Sequence, residues 1–323
     1  ISFVNKLISK IYSFEDPSLE VQVFNRSFKN PIGLAAGFDK NAEMIPSLTA
    51  IGFGHIEVGT ITSLPQEGNS RPRIFRLKKD HALINSMGFP SSGKEEVVSN
   101  LSKLTINKDL ILGINIGKNK LVSIDDAASN YIESFNALKP FADYFVLNIS
   151  SPNTPELRKL QEKDRLKELI SKISENNEKN IPLLIKIAPD LTDQELDDIV
   201  EVSLESKISA LIATNTTFSR ENLKSKLDFN GGLSGKPLRE KSLEFTRKLS
   251  SRLDNKIPII AVGGIFNSED VIDSIRAGAS LVQLYTSLTY KGAALINKIN
   301  RDLFDYLKKE KIHSIQDLIG IDS

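Results

Sequence analysis

The chain contains no cysteine, which removes disulfides, thiolate metal sites and cysteine nucleophiles together. Only three histidines are scattered along 323 residues, so a structural zinc site has little to be built from. No apolar run approaches the ~20 residues that span a bilayer, and the chain is expected to be soluble or at most peripheral. Lys+Arg 42 against Asp+Glu 41 leave a net charge of +1, so no global field favours nucleic acid or an acidic partner. What remains is a chain long enough for one large α/β domain with an appendage, without an obvious linker. It starts at Ile1 rather than Met, and the absence of a targeting signal therefore carries little weight.

From residue 32 onward, short apolar runs alternate with helical patterns, and each run ends in a polar or glycine-rich loop. The runs are 32–35, 55–58, 110–114, 144–149, 183–187, 210–213, 259–262 and 281–284. The stretch 144–149 is aromatic and β-branched with almost no alternation, the pattern of a parallel strand covered on both faces. Helical patterns at 124–138, 193–206, 237–253, 268–277 and 293–309 fall between and after the runs. This order predicts a (β/α)8 TIM barrel with an amino-terminal helical and hairpin extension. A doubly wound open sheet is the alternative, but no run is followed by G-x-G-x-x-G with an acidic residue about 20 positions on. Residues 73–85 read as an inserted hairpin, and 215–235 as a long Gly/Ser/Asn-bearing excursion. Ahead of the barrel, residues 1–14 have the spacing of an amphipathic helix, either packed on the main domain or left from a membrane- or partner-facing element. Residues 19–24 and 27–28 flank a hairpin turn expected at Asn25-Arg26.

The carboxyl ends of the eight runs collect a consistent chemistry. They carry Ala36, Gly37, Phe38, Asp39 and Lys40; Gly59 and Thr60; Asn115; Asn148 with Ser151 and Asn153; Lys186; Thr214, Asn215 and Thr216; Gly263 and Gly264; Tyr285 and Thr286. Carboxamides dominate and metal ligands are missing, which suits a planar heterocycle, because an Asn side chain donates to one ring group and accepts from another. Pro152 and Pro155 hold Ser151 and Asn153 on a stiff, extended loop. An ordinary Ser/Asn/Pro turn is the plain reading of that segment in isolation. Solvated surface charge is the plain reading of each lysine, and for Lys186 it is disfavoured by the apolar residues Leu183, Leu184 and Ile185 before it.

Gly263-Gly264 after the seventh run, with a helix opening near Ser268 and Tyr285-Thr286 after the eighth, is the arrangement of the barrel phosphate site. Glycines that merely turn the chain are the competing explanation. A phosphorylated cofactor among Asn and Lys side chains without a metal points to FMN and hydride chemistry.

Several longer motifs then carry a resemblance: NPIGLAAGFDK at 30–40, NSRPRIFRL at 69–77, GINIGKNK at 113–120, NISSPNTP at 148–155, KIAPD at 186–190, ATNTT at 213–217 and GGLSG at 231–235. With them the chain resembles the dihydroorotate dehydrogenases, in the class that passes electrons to a membrane quinone, from about Leu19 to the carboxyl terminus. The resemblance implies oxidation of (S)-dihydroorotate to orotate in pyrimidine biosynthesis, and a division into an extension at 1–18 and an FMN-binding barrel at 19–323. It implies FMN contacts from Ala36, Gly37, Phe38, Asp39, Lys40, Thr60, Asn115, Asn148, Lys186, Thr214, Gly235, Gly264, Tyr285 and Thr286. Substrate would be held by Lys40, the segment 85–89, Asn148, Asn153, Asn215 and Thr216, with Ser151 as catalytic base where soluble classes use a cysteine. The partners implied are dihydroorotate, orotate and a quinone, without nucleic acid, in a peripheral membrane protein on the cytoplasmic side of the inner membrane. Two departures stand out. Ser86 replaces the arginine usual after Asn85, and residues 1–14 give room only for the last part of the helical pair that forms the quinone tunnel mouth.

A serine hydroxyl is a weak base at neutral pH, so Ser151 needs a relay, either a threonine, with Thr154 or Thr216 as candidates, or a water. Arg76 and Tyr285 are expected near the quinone. Other flavin barrels, such as dihydrouridine synthase or dihydropyrimidine dehydrogenase, would share the phosphate site but usually use a cysteine acid. A barrel reduced to a binding scaffold would let the polar strand ends drift, and here they are all present.

Overall fold

The computed structural model describes residues 3–104, 110–225 and 229–323. It opens with α1 (Phe3–Tyr12), the described part of the expected amphipathic helix; residues 1 and 2 of that expectation lie outside the described residues. The helix packs on the barrel side through later helices, yet leaves Val4, Leu7 and Ile11 exposed at 61%, 52% and 61%. An antiparallel hairpin follows, β1 (Val21–Val23) and β2 (Arg26–Phe28). Its turn is Phe24-Asn25 rather than Asn25-Arg26: both turn residues take positive φ, 37° and 58°, and Arg26 already pairs with Val23. Two left-handed central residues match the twist of the flanking strands, which is why the turn settles there.

The barrel begins with β3 (Ile32–Leu34), α2 (Ile45–Ala50) and β4 (His55–Ile61). The inserted hairpin is β5 (Ile74–Leu77) and β6 (Ala82–Asn85), after which α3 (Gly93–Ser102) and β7 (Ile111–Ile116) resume the repeat. Then come α4 (Ala127–Leu138), β8 (Tyr144–Asn148), α5 (Lys163–Ser174), β9 (Leu183–Ile187), α6 (Asp193–Glu205) and β10 (Ala210–Ala213). The excursion after β10 ends in a strand of its own, β11 (Gly232–Gly235). The chain closes with α7 (Arg239–Leu253), β12 (Ile259–Val262), α8 (Ser268–Arg276), β13 (Ala279–Leu284), α9 (Thr286–Lys291) and α10 (Ala294–Glu310).

Parallel pairing runs β3-β4-β7-β8-β9-β10-β12-β13 and returns from β13 to β3, a closed TIM barrel rather than an open sheet. The strands are apolar on both faces because side chains pointing in meet one another and those pointing out meet the helices. Helix starts are specified locally. Thr192 with Glu195 opens α6 and Asn267 with Asp270 opens α8, each pair bonding the other's backbone N–H.

The amino-terminal end of the barrel is plugged. His55 and Tyr144, the first residues of β4 and β8, point inward over Gly33 and Gly113, whose missing side chains leave the space. Phe28 of the hairpin lies edge-on to His55 at 5.3 Å, and Phe24 lies 5.8 Å from Tyr144. Full burial drives the His55 imidazole down to about 3.

The excursion at 215–235 was expected as a loop, and its described end instead extends the inserted hairpin. β11 pairs antiparallel with β6, making a three-stranded sheet β11-β6-β5 at the carboxyl mouth of the barrel; residues 226–228 of the excursion lie outside the described residues. Phe75 and Phe229 stack at 3.7 Å across this sheet, and Leu77, Ile84 and Leu233 form a small core beneath it. Pairing between segments about 150 residues apart satisfies backbone groups that a free loop would leave to water.

Candidate active site

The strand ends and the added sheet enclose a cavity of about 1040 Å³ counting its open mouth. Ala36, Gly37, Lys40, Thr60, Asn148, Lys186, Thr214, Gly235, Gly264, Tyr285 and Thr286 line it, together with Ser151, Asn153, Asn215 and Thr216. Of the segment 85–89, Asn85, Met87, Gly88 and Phe89 reach the cavity while Ser86 does not. Three of the residues expected to touch a cofactor sit behind the wall. Phe38 turns its ring edge to Tyr285 at 5.9 Å, Asp39 accepts from the backbone N–H groups of Glu43 and Met44, and Asn115 is buried beneath Thr60.

A line of side-chain hydrogen bonds runs from the middle of the barrel to the mouth. Glu57, wholly buried on β4, accepts from Asn115 Nδ2 at 2.8 Å and from Gln283 Nε2 at 2.6 Å. Asn115 Oδ1 accepts from the Thr60 hydroxyl at 2.6 Å, which accepts from Asn148 Nδ2 at 2.8 Å. Asn215 Nδ2 then donates to Asn148 Oδ1 at 3.2 Å and to the Ser150 hydroxyl at 3.0 Å. Lys186 rises from β9 into the cavity. Burial lowers its pKa, and the Glu57 carboxylate pulls the other way, towards the charged form. Lys40 is also lowered, by burial first and by the nearby Arg73 charge second, against Asp39; its ammonium donates to the Gly37 carbonyl.

The loop bearing Ser151 is held from three sides. Tyr131 donates to the Asn148 carbonyl at 2.9 Å, and the Asn153 N–H donates to Ser151 Oγ at 3.3 Å. Asn153 Nδ2 reaches Asn85 Oδ1 at 3.2 Å, tying this loop to β6. The Thr154 hydroxyl is buried with no hydrogen-bond partner, three positions from Ser151. Arg158 and Asp190, which the sequence reading did not single out, brace the same loop from below. Glu57 and Gln283 were also passed over, although a polar residue inside an apolar run, the signal that exposed Lys186, marks both.

At the opposite rim, Gly264 takes φ 68°, and a Cβ there would stand 2.6 Å from the Arg239 backbone. Gly235 takes φ 103°, where a Cβ would meet the His81 carbonyl at 2.3 Å. Only glycine permits both turns, and Gly235 and Gly264 line this corner of the cavity with Tyr285 and Thr286, at the start of α9. A planar ring against the carboxamides and Lys186, with a phosphate at this corner, matches the donor set. Among the described residues, no cluster of His, Asp or Glu could hold a metal.

Arg76 lies outside the cavity. Its guanidinium covers the Tyr290 ring at 4.2 Å and donates to the Thr289 carbonyl at 3.2 Å, both on α9, while the Tyr285 hydroxyl turns to the Gly37 carbonyl at 3.4 Å.

The sequence profile of the family described as Dihydroorotate dehydrogenase matches residues 18–307. A protein of Christiangramia forsetii named dihydroorotate dehydrogenase (quinone) is 51% identical over 298 residues, which is 91% of this chain and 87% of that protein. The mitochondrial dihydroorotate dehydrogenase (quinone) of Mus musculus is 46% identical over 325 residues, covering 96% of this chain and 82% of that one. Among solved structures, the ligand-free enzyme of Eimeria tenella superposes with a TM-score of 0.91 at 41% identity, over 99% of this chain and 97% of that one. A barrel with this mouth and relatives of this closeness places the chain in the dihydroorotate dehydrogenase family, within its quinone-dependent class.

Proposed function

We propose that this protein oxidises dihydroorotate to orotate for pyrimidine biosynthesis, with FMN as its flavin and a membrane quinone as final electron acceptor. The family implies a flavin, and FMN is the form that the phosphate corner at Gly264, Tyr285 and Thr286 favours. The observation that carries the reading is the convergence of Ser151, the carboxamides, the buried Lys186 and the half-buried Lys40 on one cavity.

Bound FMN supplies the acceptor for the hydride that leaves C6 of the substrate. The chain does the rest. Lys40 meets the substrate carboxylate, and Asn85, Asn148, Asn153 and Asn215 fix the ring edges so that one face presents its C5 hydrogen to Ser151. Ser151 takes that proton while its own hydroxyl proton passes through a relay, with Thr154, Thr216 or a water as carrier, that hands it on to bulk solvent. Lys186 places positive charge under the ring system, where negative charge builds during reduction.

Residues 1–18 are the extension and 19–323 the catalytic barrel in this reading. The exposed Val4, Leu7 and Ile11 of α1 support a peripheral contact with the cytoplasmic side of the membrane, and Arg76 and Tyr285 support a quinone approach beside α9. Anaerobic addition of dihydroorotate to the purified yellow protein tests the central claim: the flavin absorption should bleach. A colourless protein, or a flavin that dihydroorotate leaves oxidised, contradicts it.

A further inference from the structure

Glu57 touches no substrate group in the reaction described so far; its carboxylate favours the charged form of Lys186, and it is wholly buried beneath the cavity. It sits on β4 two residues beyond His55, below the cavity, and both carboxylate oxygens accept from carboxamides, Asn115 on one side and Gln283 on the other. A carboxamide is ambiguous: it can present oxygen or N–H to a neighbour with little change of shape. An ionised carboxylate is not, because it only accepts.

We propose that Glu57 is a positioning residue that sets the donor and acceptor polarity of the site, through a hydrogen-bonded chain of Asn115, Thr60 and Asn148 to Asn215. With Glu57 as acceptor, Asn115 must turn Nδ2 down at 2.8 Å and Oδ1 up, so the Thr60 hydroxyl must donate at 2.6 Å. Having spent its one proton, Thr60 can only accept from above, which turns Asn148 Nδ2 towards it at 2.8 Å and Asn148 Oδ1 towards Asn215. Asn215 therefore presents Nδ2 to Asn148 and keeps its oxygen for the Thr216 N–H at 2.8 Å. Reversing any one amide would set two acceptors or two donors face to face in a buried line, which costs about as much as a lost hydrogen bond at each conflict. Glu57 at the bottom of the chain and the Thr216 N–H at its top are both one-way partners, and together they hold the edges that Asn148 and Asn215 show to a ring in the cavity.

The inference rests on orotate occupying this cavity, so the experiment separates the two. Orotate binding to the FMN-loaded parent enzyme, followed by the shift in flavin absorption, tests the occupancy alone. The positioning role is then read from ratios to the parent. Glu57→Gln preserves shape but can donate, so only the Thr216 N–H is left to hold one polarity along the chain, and orotate affinity should fall about ten-fold or more while bound FMN and the melting temperature stay near parental. The double variant Glu57→Gln/Asn115→Asp moves the acceptor-only group one link up the chain. The new amide donates to the new carboxylate, which still accepts from Thr60, so the double variant should recover most of the lost affinity. Unchanged orotate affinity in Glu57→Gln, or a double variant no better than the single one, overturns the proposal. If Glu57→Gln does not fold, the double variant is compared with Asn115→Asp alone, which sets two acceptors face to face: orotate affinity lost about ten-fold or more in the single variant and recovered in the double one supports the role, and equal affinities in the two overturn it.

Discussion

Arg158 and Asp190 form one joint under three loops of the site. Arg158 Nη1 donates to Asp190 Oδ2 at 3.2 Å, while its Nε and Nη2 reach the Ser150 carbonyl at 3.2 Å and the Thr216 carbonyl at 3.3 Å. Asp190 also accepts from Lys241 at 2.7 Å and from the Thr217 hydroxyl. Burial would raise the Asp190 pKa, but these hydrogen bonds outweigh it and keep the carboxyl below its usual range. The loops after β8, β9 and β10 are thereby locked in register. Arg158→Met should leave the protein yellow and slow flavin reduction by dihydroorotate about 10- to 100-fold, since small displacements of a reacting group cost rates of this order. Stopped-flow reduction of the loaded enzyme measures it, and a parental rate would show that Ser151 is held well enough by its own prolines.

Ser151→Ala should bind orotate and keep FMN while reducing flavin about 10² to 10⁴ times more slowly, the usual contribution of a positioned base. Ser151→Cys should retain more activity than Ser151→Ala. A normal single-turnover rate in Ser151→Ala would remove this residue from the reaction.

Cofactor and substrate contacts separate at different residues. Asn215→Ala should stay yellow and weaken dihydroorotate binding, because the proposed ring-edge contact is lost and Asn148 Oδ1 keeps only the long Ser150 hydroxyl contact at 3.5 Å. Gly264→Val should yield colourless protein, but with lowered stability as well, because the new side chain would collide with the Arg239 backbone. Absorbance at purification and a thermal melt distinguish loss of flavin from loss of fold; a stable, yellow Gly264→Val would contradict the phosphate assignment.

His55 makes the fold sensitive to acid. Its imidazole is held down to about 3 in the folded protein against an ordinary value of 6.5, so between these values the unfolded chain binds the extra proton. Stability must then rise with pH across that window and fall as pH drops below about 6.5, by at most about 1.4 kcal/mol per pH unit from this group. His55→Leu removes the term, and urea midpoints taken between about pH 4.5 and 6.5 should vary less with pH than those of the parent. Parallel profiles would mean that the imidazole is not what the acid limb reports.

Arg76→Ala should slow reoxidation by a soluble quinone analogue and leave reduction by dihydroorotate nearly unchanged. The guanidinium stands on α9 outside the cavity, away from the substrate carboxamides, so the two half-reactions are expected to use different faces and to give ping-pong kinetics. Equal loss of both half-reactions would place quinone and substrate at one entrance.

Sequence alone determined the barrel, because strands buried on both faces leave short continuous apolar runs, and eight of them alternating with helical patterns fit a closed parallel sheet. It also determined which loops carry chemistry, since polar residues at strand ends are conspicuous after such runs. Tertiary structure decided what depends on residues distant in sequence. The strand at Gly232–Gly235 was hidden because glycines and a serine acquire extended structure only when β6 offers its edge. Asn115 is a strand-end carboxamide in the sequence, and only the fold shows that it links Glu57 to Thr60, because its partners come from what the other strands set beside it. The same holds for Glu57 and Gln283, one on β4 and the other on β13: 226 residues separate them, and barrel closure makes them hydrogen-bond partners.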